Sequence, residues 1–103
     1  MGFRHIALLT FAPGTDVDAI AEALHALPAQ IPELRHYDVG RDAGLAADNA
    51  DLAVVAVCDD RAGYEAYRDH PAHLAVIAEH IAPHLIARTA LQHPLAGGAP
   101  PSR

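Results

Sequence analysis

Four runs of apolar, β-branched and aromatic residues, the stretches at helical spacing between them, and the order in which they alternate predict an α+β chain. The expected order is β-α-β-β-α-β, the split βαβ unit of a ferredoxin-like domain: a four-stranded antiparallel sheet with helices on one face. At 103 residues there is room for one domain. With 51% hydrophobic and 19% charged residues, the chain has the apolar content for a core that a disordered chain lacks.

The first strand is Phe3 to Phe11, closed by the turn residues Pro13-Gly14. Alternation places Phe3, His5, Ala7, Leu9 and Phe11 on one face and Ile6 and Leu8 on the other, so both faces need cover. Thr15 stands where an N-cap belongs, with Asp16 and Asp18 in the first turn, at the positive end of a helix. Val17, Ile20, Ala21, Leu24 and Leu27 recur at helical spacing and predict an amphipathic helix over 16–27, ended by Pro28 and Pro32. Leu34 to Arg41, with Tyr37 and Val39, reads as the second strand, and 42–50 as a loop.

Leu52 to Cys58, opened by Asp51, is apolar throughout and is the clearest strand. Asp59-Asp60 turns the chain and caps a helix running through Tyr64 and Tyr67 to His70. Pro71 suits a first helical turn, and a further helix to Ala82 is expected with Leu74, Ile77, Ala78 and Ile81 as its inner stripe. His84 to Gln92 is the last strand. The domain is therefore placed at 1–93, and 94–103, rich in Pro, Gly and Ala, as a disordered tail.

Composition excludes several functions. All seven basic residues are arginines, so lysine Schiff-base chemistry and a Walker-type lysine are ruled out. A net charge of −6 argues against a nucleic-acid partner. One cysteine, Cys58, permits neither an internal disulfide nor a multi-cysteine zinc site, and with no basic neighbour it reads as an inert core thiol. No apolar run approaches a membrane span and no secretion signal opens the chain, so no membrane partner and a cytoplasmic location are expected. No glycine motif for phosphates is present, which implies no organic cofactor. His70, His73, His80 and His84 have spacings that can chelate, but Pro83 interrupts the helix before His84 and no carboxylate-histidine motif accompanies them, so no metal is assigned.

Helices on one face leave the other, with Ile6, Leu8 and alternate residues of 52–58, apolar and open. Soluble monomers rarely expose such a face. A homodimer through the sheets is the physical expectation.

Arg4-His5-Ile6 in the first strand and the stretch Tyr67-Arg68-Asp69-His70-Pro71-Ala72-His73 resemble the stress-responsive A/B barrel domain (Dabb) family of the dimeric α+β barrel superfamily. The likeness covers residues 2 to 92. It implies a ferredoxin-like subunit that dimerises through its sheets. In the family's olivetolic acid cyclase-type members it implies an aldol condensation closing a linear polyketide, with a Tyr and a His as acid/base pair and a first-strand His in the same cleft. Those roles fall on Tyr67, His73 and His5.

The residue types suit that task, since a neutral imidazole can take a proton and a phenol can donate one to a developing enolate. Two readings of Tyr67 and His73 stay open: a ligand-facing pair, or a pair that braces the Pro71 junction and fills the core. The expected cleft is lined further by Ala7, Leu9, Leu24, Leu27 and His70. Arg35, Arg41 and Arg88 are candidates to hold a ligand carboxylate, with surface ion pairing the bland alternative. The expected function is a small-molecule-binding dimer taking a carbonyl or aromatic ligand, as a cofactor-independent polyketide-type cyclase. The alternatives are a non-catalytic, stress-responsive dimer that binds a ligand or partner, and a cofactor-free monooxygenase.

Overall fold

β1 (Phe3–Phe11) is the strand on which the sheet is built, paired antiparallel on both sides. The computed structural model describes residues 2–95. After β1 come α1 (Val17–His25), a 3-10 turn (Leu27–Ala29), β2 (His36–Arg41), β3 (Leu52–Cys58), α2 (Arg61–Asp69), α3 (Pro71–Val76), a π-helical turn (Ile77–Ile81) and β4 (Leu85–Pro94). The sheet order is β2-β3-β1-β4, all neighbours antiparallel. This is the α+β, ferredoxin-like fold expected from the sequence.

The alternation along β1 and β3 divides the sheet into two faces. His5, Ala7, Leu9 and Phe11 of β1 and Leu52, Val54, Ala56 and Cys58 of β3 are buried beneath the helices. They meet Val17, Ile20 and Leu24 of α1, then Leu27, Ile31 and Tyr67, in one core. α2 packs on β1 and β3 and α1 on β2, while β4 receives little of the helix layer. The opposite face stays open: Leu8 is 43% exposed and Leu91 54%.

Several boundaries differ from the sequence reading, each for a local reason. Asp16, not Thr15, caps α1, its carboxylate accepting from the N–H of Ala19 at 3.1 Å. The Thr15 hydroxyl is already committed to the Ala12 carbonyl at 2.6 Å, closing a turn in which Gly14 takes φ +85. α1 ends at His25 and Leu27 falls in the separate 3-10 turn, where Pro28 has no N–H for a continuing helix. β2 begins at His36 rather than Leu34, and β4 spans Leu85–Pro94 rather than His84–Gln92. The ladder passes residue 93, with the Leu95 N–H donating to Gly2 O at 2.7 Å. The rest of the expected tail, 96–103, lies outside the described residues.

The inner stripe of the last helical stretch is rotated from the expected one. Leu74 is 49% exposed and Ala78 is exposed, while Ala72, His73, Val76 and Ile77 face inward and Ile81 is buried. The first turn sets this orientation. His70 caps α3 by accepting the Ala72 N–H at 3.0 Å, and the His73 ring lies over Tyr67, which turns that side of the helix inward. The π turn, with Ala82 N–H to Ile77 O at 2.8 Å, completes the run just before Pro83.

Candidate functional site

The helix-side face of β1, the end of α2 and the start of α3 meet at a cluster of aromatic and imidazole rings. Asp60 starts α2 by accepting the Gly63 N–H at 2.8 Å, and the helix then carries Tyr64 and Tyr67 towards β1. His70 breaks that helix with an extended backbone (φ −62, ψ 135), and Pro71 starts α3. His73 is thereby folded back over Tyr67, ring centroids 4.3 Å apart. His5 lies 5.1 Å from Tyr64 and 6.4 Å from Tyr67 by ring centroids. The structure thus brings together the three residues singled out as catalytic candidates.

Hydrogen bonds decide which nitrogen of each imidazole is free. The Arg68 carbonyl can only accept, so His73 Nδ1 donates to it at 2.9 Å and Nε2 keeps its lone pair. At His5 the order reverses: the Gln92 side-chain amide donates to Nδ1 at 2.8 Å, so in the neutral ring the proton sits on Nε2. Neither Nε2 has a hydrogen-bond partner among the described residues, and no buried polar side-chain atom among them is left unsatisfied. Both Nε2 atoms therefore reach accessible space. One offers a lone pair, the other an N–H.

Electrostatics keep both rings neutral. Burial first, then the charges of Arg88 and His73, lower the His5 pKa from its ordinary value to about 4. Burial is also the main cause holding His73 below its usual value, with Arg88 acting in the same direction and the Arg68 carbonyl opposing it. Tyr67 is 1% exposed, and its hydroxyl lies 3.2 Å from that of Tyr37. Burial first, then Tyr37, pushes its pKa well above the ordinary phenol range, so it stays protonated.

The expected lining residues have other places. Leu24 and Leu27 are core residues at 2% and 1% exposure, and Ala7 and Leu9 are likewise buried. All four belong to the hydrophobic core. His70 serves as the cap of α3. Open space lies elsewhere: a cavity of about 320 Å³ is lined by Phe3, Arg61, Tyr64, Glu65, Arg68 and Gln92, between α2 and β4. It adjoins the imidazole cluster through Tyr64 and Gln92, the neighbours of His5. A second cavity of about 250 Å³, near Leu8, Asn49 and Ala53, is lined by Arg41 but by none of His5, Tyr67 and His73.

Sequence reasoning missed Gln92 and Tyr37. Gln92 could have been found from strand parity, since it pairs with His5 in the β1–β4 register. The same register puts Ala90 opposite Ala7 and Arg88 opposite Leu9, so Arg88 lies on the helix side of the sheet. The other two candidate cations are surface ion pairs, Arg35 with Asp59 at 3.0 Å and Arg41 with Asp18 at 2.9 Å. Cys58 is buried, and burial raises its pKa above that of a free thiol. Among the described residues no group of three or more His, Cys, Asp or Glu side chains is placed to hold a metal ion, and no helix is long and apolar enough to cross a membrane.

Comparison with known proteins places this geometry. The family model described as Stress responsive A/B Barrel Domain matches residues 3–92. A dimeric ferredoxin-like protein of unknown function from Thermobifida fusca is similar at 49% identity, covering 92% of each chain with a TM-score of 0.83. A Dabb family protein from Mesorhizobium loti matches at 19% identity, 93% of this chain, 98% of that one and TM-score 0.76. The hydroxynitrile lyase of Passiflora edulis matches at 20% identity, 96% and 97% coverage and TM-score 0.79. At such identities the last two show the fold alone. No curated protein matches the sequence.

Proposed function

The chain belongs to the stress-responsive A/B barrel domain family, and from that premise we propose that it is a homodimeric small-molecule-binding protein whose cleft transfers protons on a carbonyl compound. The observation that carries this reading is the opposed state of two neutral imidazoles ranged on Tyr67, whose ring centroid lies 4.3 Å from that of His73 and 6.4 Å from that of His5. His73 Nε2 is a free lone pair, held in that tautomer by the Arg68 carbonyl, and acts as general base. His5 Nε2–H, held by Gln92, donates to the carbonyl oxygen as negative charge develops there. Tyr67, joined to Tyr37, is by resemblance to the family the acid that returns a proton to the product, and the proton taken up by His73 restores the phenol. No organic cofactor enters the scheme.

Base and donor on one carbonyl suit carbon–carbon bond formation or cleavage next to it. Aldol cyclisation of a polyketide is the specific form that the family resemblance suggests. The hydroxynitrile lyase with the same fold carries a name from carbonyl-adduct chemistry, which is consistent with the class. A non-catalytic dimer is the second reading, and it is favoured by one observation: Tyr67 is sealed beneath His73 in the protomer.

Turnover of a panel of polyketide-type and simple carbonyl substrates separates the two. His73→Ala is expected to lower the rate by about 10²–10⁴-fold with fold and dimer intact, the usual contribution of a general base. A wild-type protein inactive across the panel, or a His73→Ala variant at wild-type rate, returns the protein to the ligand-binding reading. Oxygen consumption with quinol-type substrates, sensitive to the same substitution, is the result that favours a monooxygenase.

A further inference from the structure

Arg88 is set apart from the other arginines of the described residues. Arg35, Arg41, Arg61 and Arg68 each hold a carboxylate, at 3.0, 2.9, 3.2 and 2.9 Å. Arg4 donates to His93 on the open face of the sheet. Arg88 has neither an ion pair nor a side-chain hydrogen bond among the described residues. Its place is not a random surface position. Opposite Leu9 and four residues before Gln92, it stands on the helix-side face of β4, the strand that the helices leave least covered.

The surroundings select for negative charge. Arg88 shares the helix-side face of β4 with Gln92, which bonds His5 at 2.8 Å, and from there its charge bears on both His5 and His73. The carboxylates in the neighbourhood are already engaged: Asp69, beside His73, is gripped by both Nε and Nη2 of Arg68, and Glu65, in the cavity wall, by Arg61. A guanidinium without a counter-ion, on the same face of β4 as Gln92 and beside a cluster of neutral imidazoles, is a receptor for an anionic group.

We propose that Arg88 binds a carboxylate of the ligand, so that the substrate class of the cleft is a carbonyl compound bearing a carboxylate. The inference rests on the proton-transfer reading and supplies what that reading lacks, an anchor. With its carboxylate on Arg88, the ligand would extend along the helix-side face of β4 towards Gln92 and His5, which stand opposite one another in the register. Arg88 then determines specificity and takes no part in proton transfer.

Benzoate and its neutral isostere benzamide test the proposal without knowledge of the substrate. Each is titrated into the intact dimer while the ring resonances of His5 and His73 are followed by NMR. Benzoate is expected to shift both rings and to bind about tenfold more tightly than benzamide, as a charge-assisted pair does over a neutral one. Arg88→Gln is expected to remove that advantage, whereas Arg41→Gln, on the distant ion pair with Asp18, keeps it. Equal binding of the two probes, or benzoate affinity unchanged by Arg88→Gln, overturns the carboxylate assignment and leaves the cleft as a ligand site. Failure of both probes to move either ring at tens of millimolar overturns the assignment together with the cleft.

Discussion

His5 shows how far one residue's environment decides its chemistry. An imidazole on an apolar face is a liability unless it is neutral and bonded, and here the Gln92 amide and the burial of the ring meet both conditions. Because its folded pKa, about 4, lies below the unfolded value near 6.5, the unfolded state binds the proton more tightly. The sign follows: stability is full above about pH 6.5 and falls as pH drops towards 4, by about 3 kcal/mol from this residue. The groups facing it are Arg88, His73, Tyr64, Tyr67 and Gln92, of which His73 is shifted in the same direction and adds to the slope. Urea denaturation at pH 7 and pH 5 is expected to show the loss, and His5→Asn to flatten it. Tyr67→Phe keeps the ring stacked under His73 and removes only the contact with the Tyr37 hydroxyl. It is expected to cost about 1 kcal/mol in the same assay, and more than 3 kcal/mol would mark the hydroxyl as structural.

At the scale of elements, the site depends on how two short helices begin. α2 is nine residues and α3 six, too short to persist on propensity, so their caps and packing set their position. Asp60→Ala deletes the cap that starts α2 and should lower stability by about 1 kcal/mol. If the cap also positions Tyr64 and Tyr67, the ring resonances of His5 and His73 shift in the same variant; unchanged spectra would limit the cap to a stability role. By contrast Leu24→Ala, in the packed core beneath α1, is expected to cost about 2–5 kcal/mol and to leave those rings where they are. Thermal or chemical denaturation compared with NMR distinguishes positioning from mere support.

For the whole molecule, the open side of the sheet is the unresolved debt of a single protomer. Ile6, Leu8, Val55, Val57 and Leu91 alternate outward on three adjacent strands, where register pairs Ile6 with both Val55 and Leu91. The similar protein from Thermobifida fusca, at 49% identity, is dimeric. Two copies joined through this face would remove the apolar strip from water while leaving both clefts outside the joint. Val55→Glu places a charge in the middle of that strip and is expected to give a folded monomer by sedimentation velocity. A dimer that persists in this variant would move the interface elsewhere on the surface.

The sequence by itself determined the element order, the two-faced character of β1 and β3 and the likeness carried by His5, Tyr67 and His73. Those properties are written in local periodicity, in Pro and Gly positions and in residue identity. It misjudged Thr15, whose hydroxyl a turn had already claimed, and half of the inner stripe of the last helix, where Ile77 and Ile81 face inward as expected but Ala72, His73 and Val76 take the places of Leu74 and Ala78. Only the tertiary structure decided which nitrogen of each imidazole is free, that Gln92 and Tyr37 belong to the cluster, and that Leu24 and Leu27 fill the core. It also separated Arg88 from Arg35 and Arg41. The physical reason is common to all four: hydrogen-bond partners and charge neighbours are set by contacts between residues far apart in the chain, such as His5 and Gln92, and no local pattern encodes them.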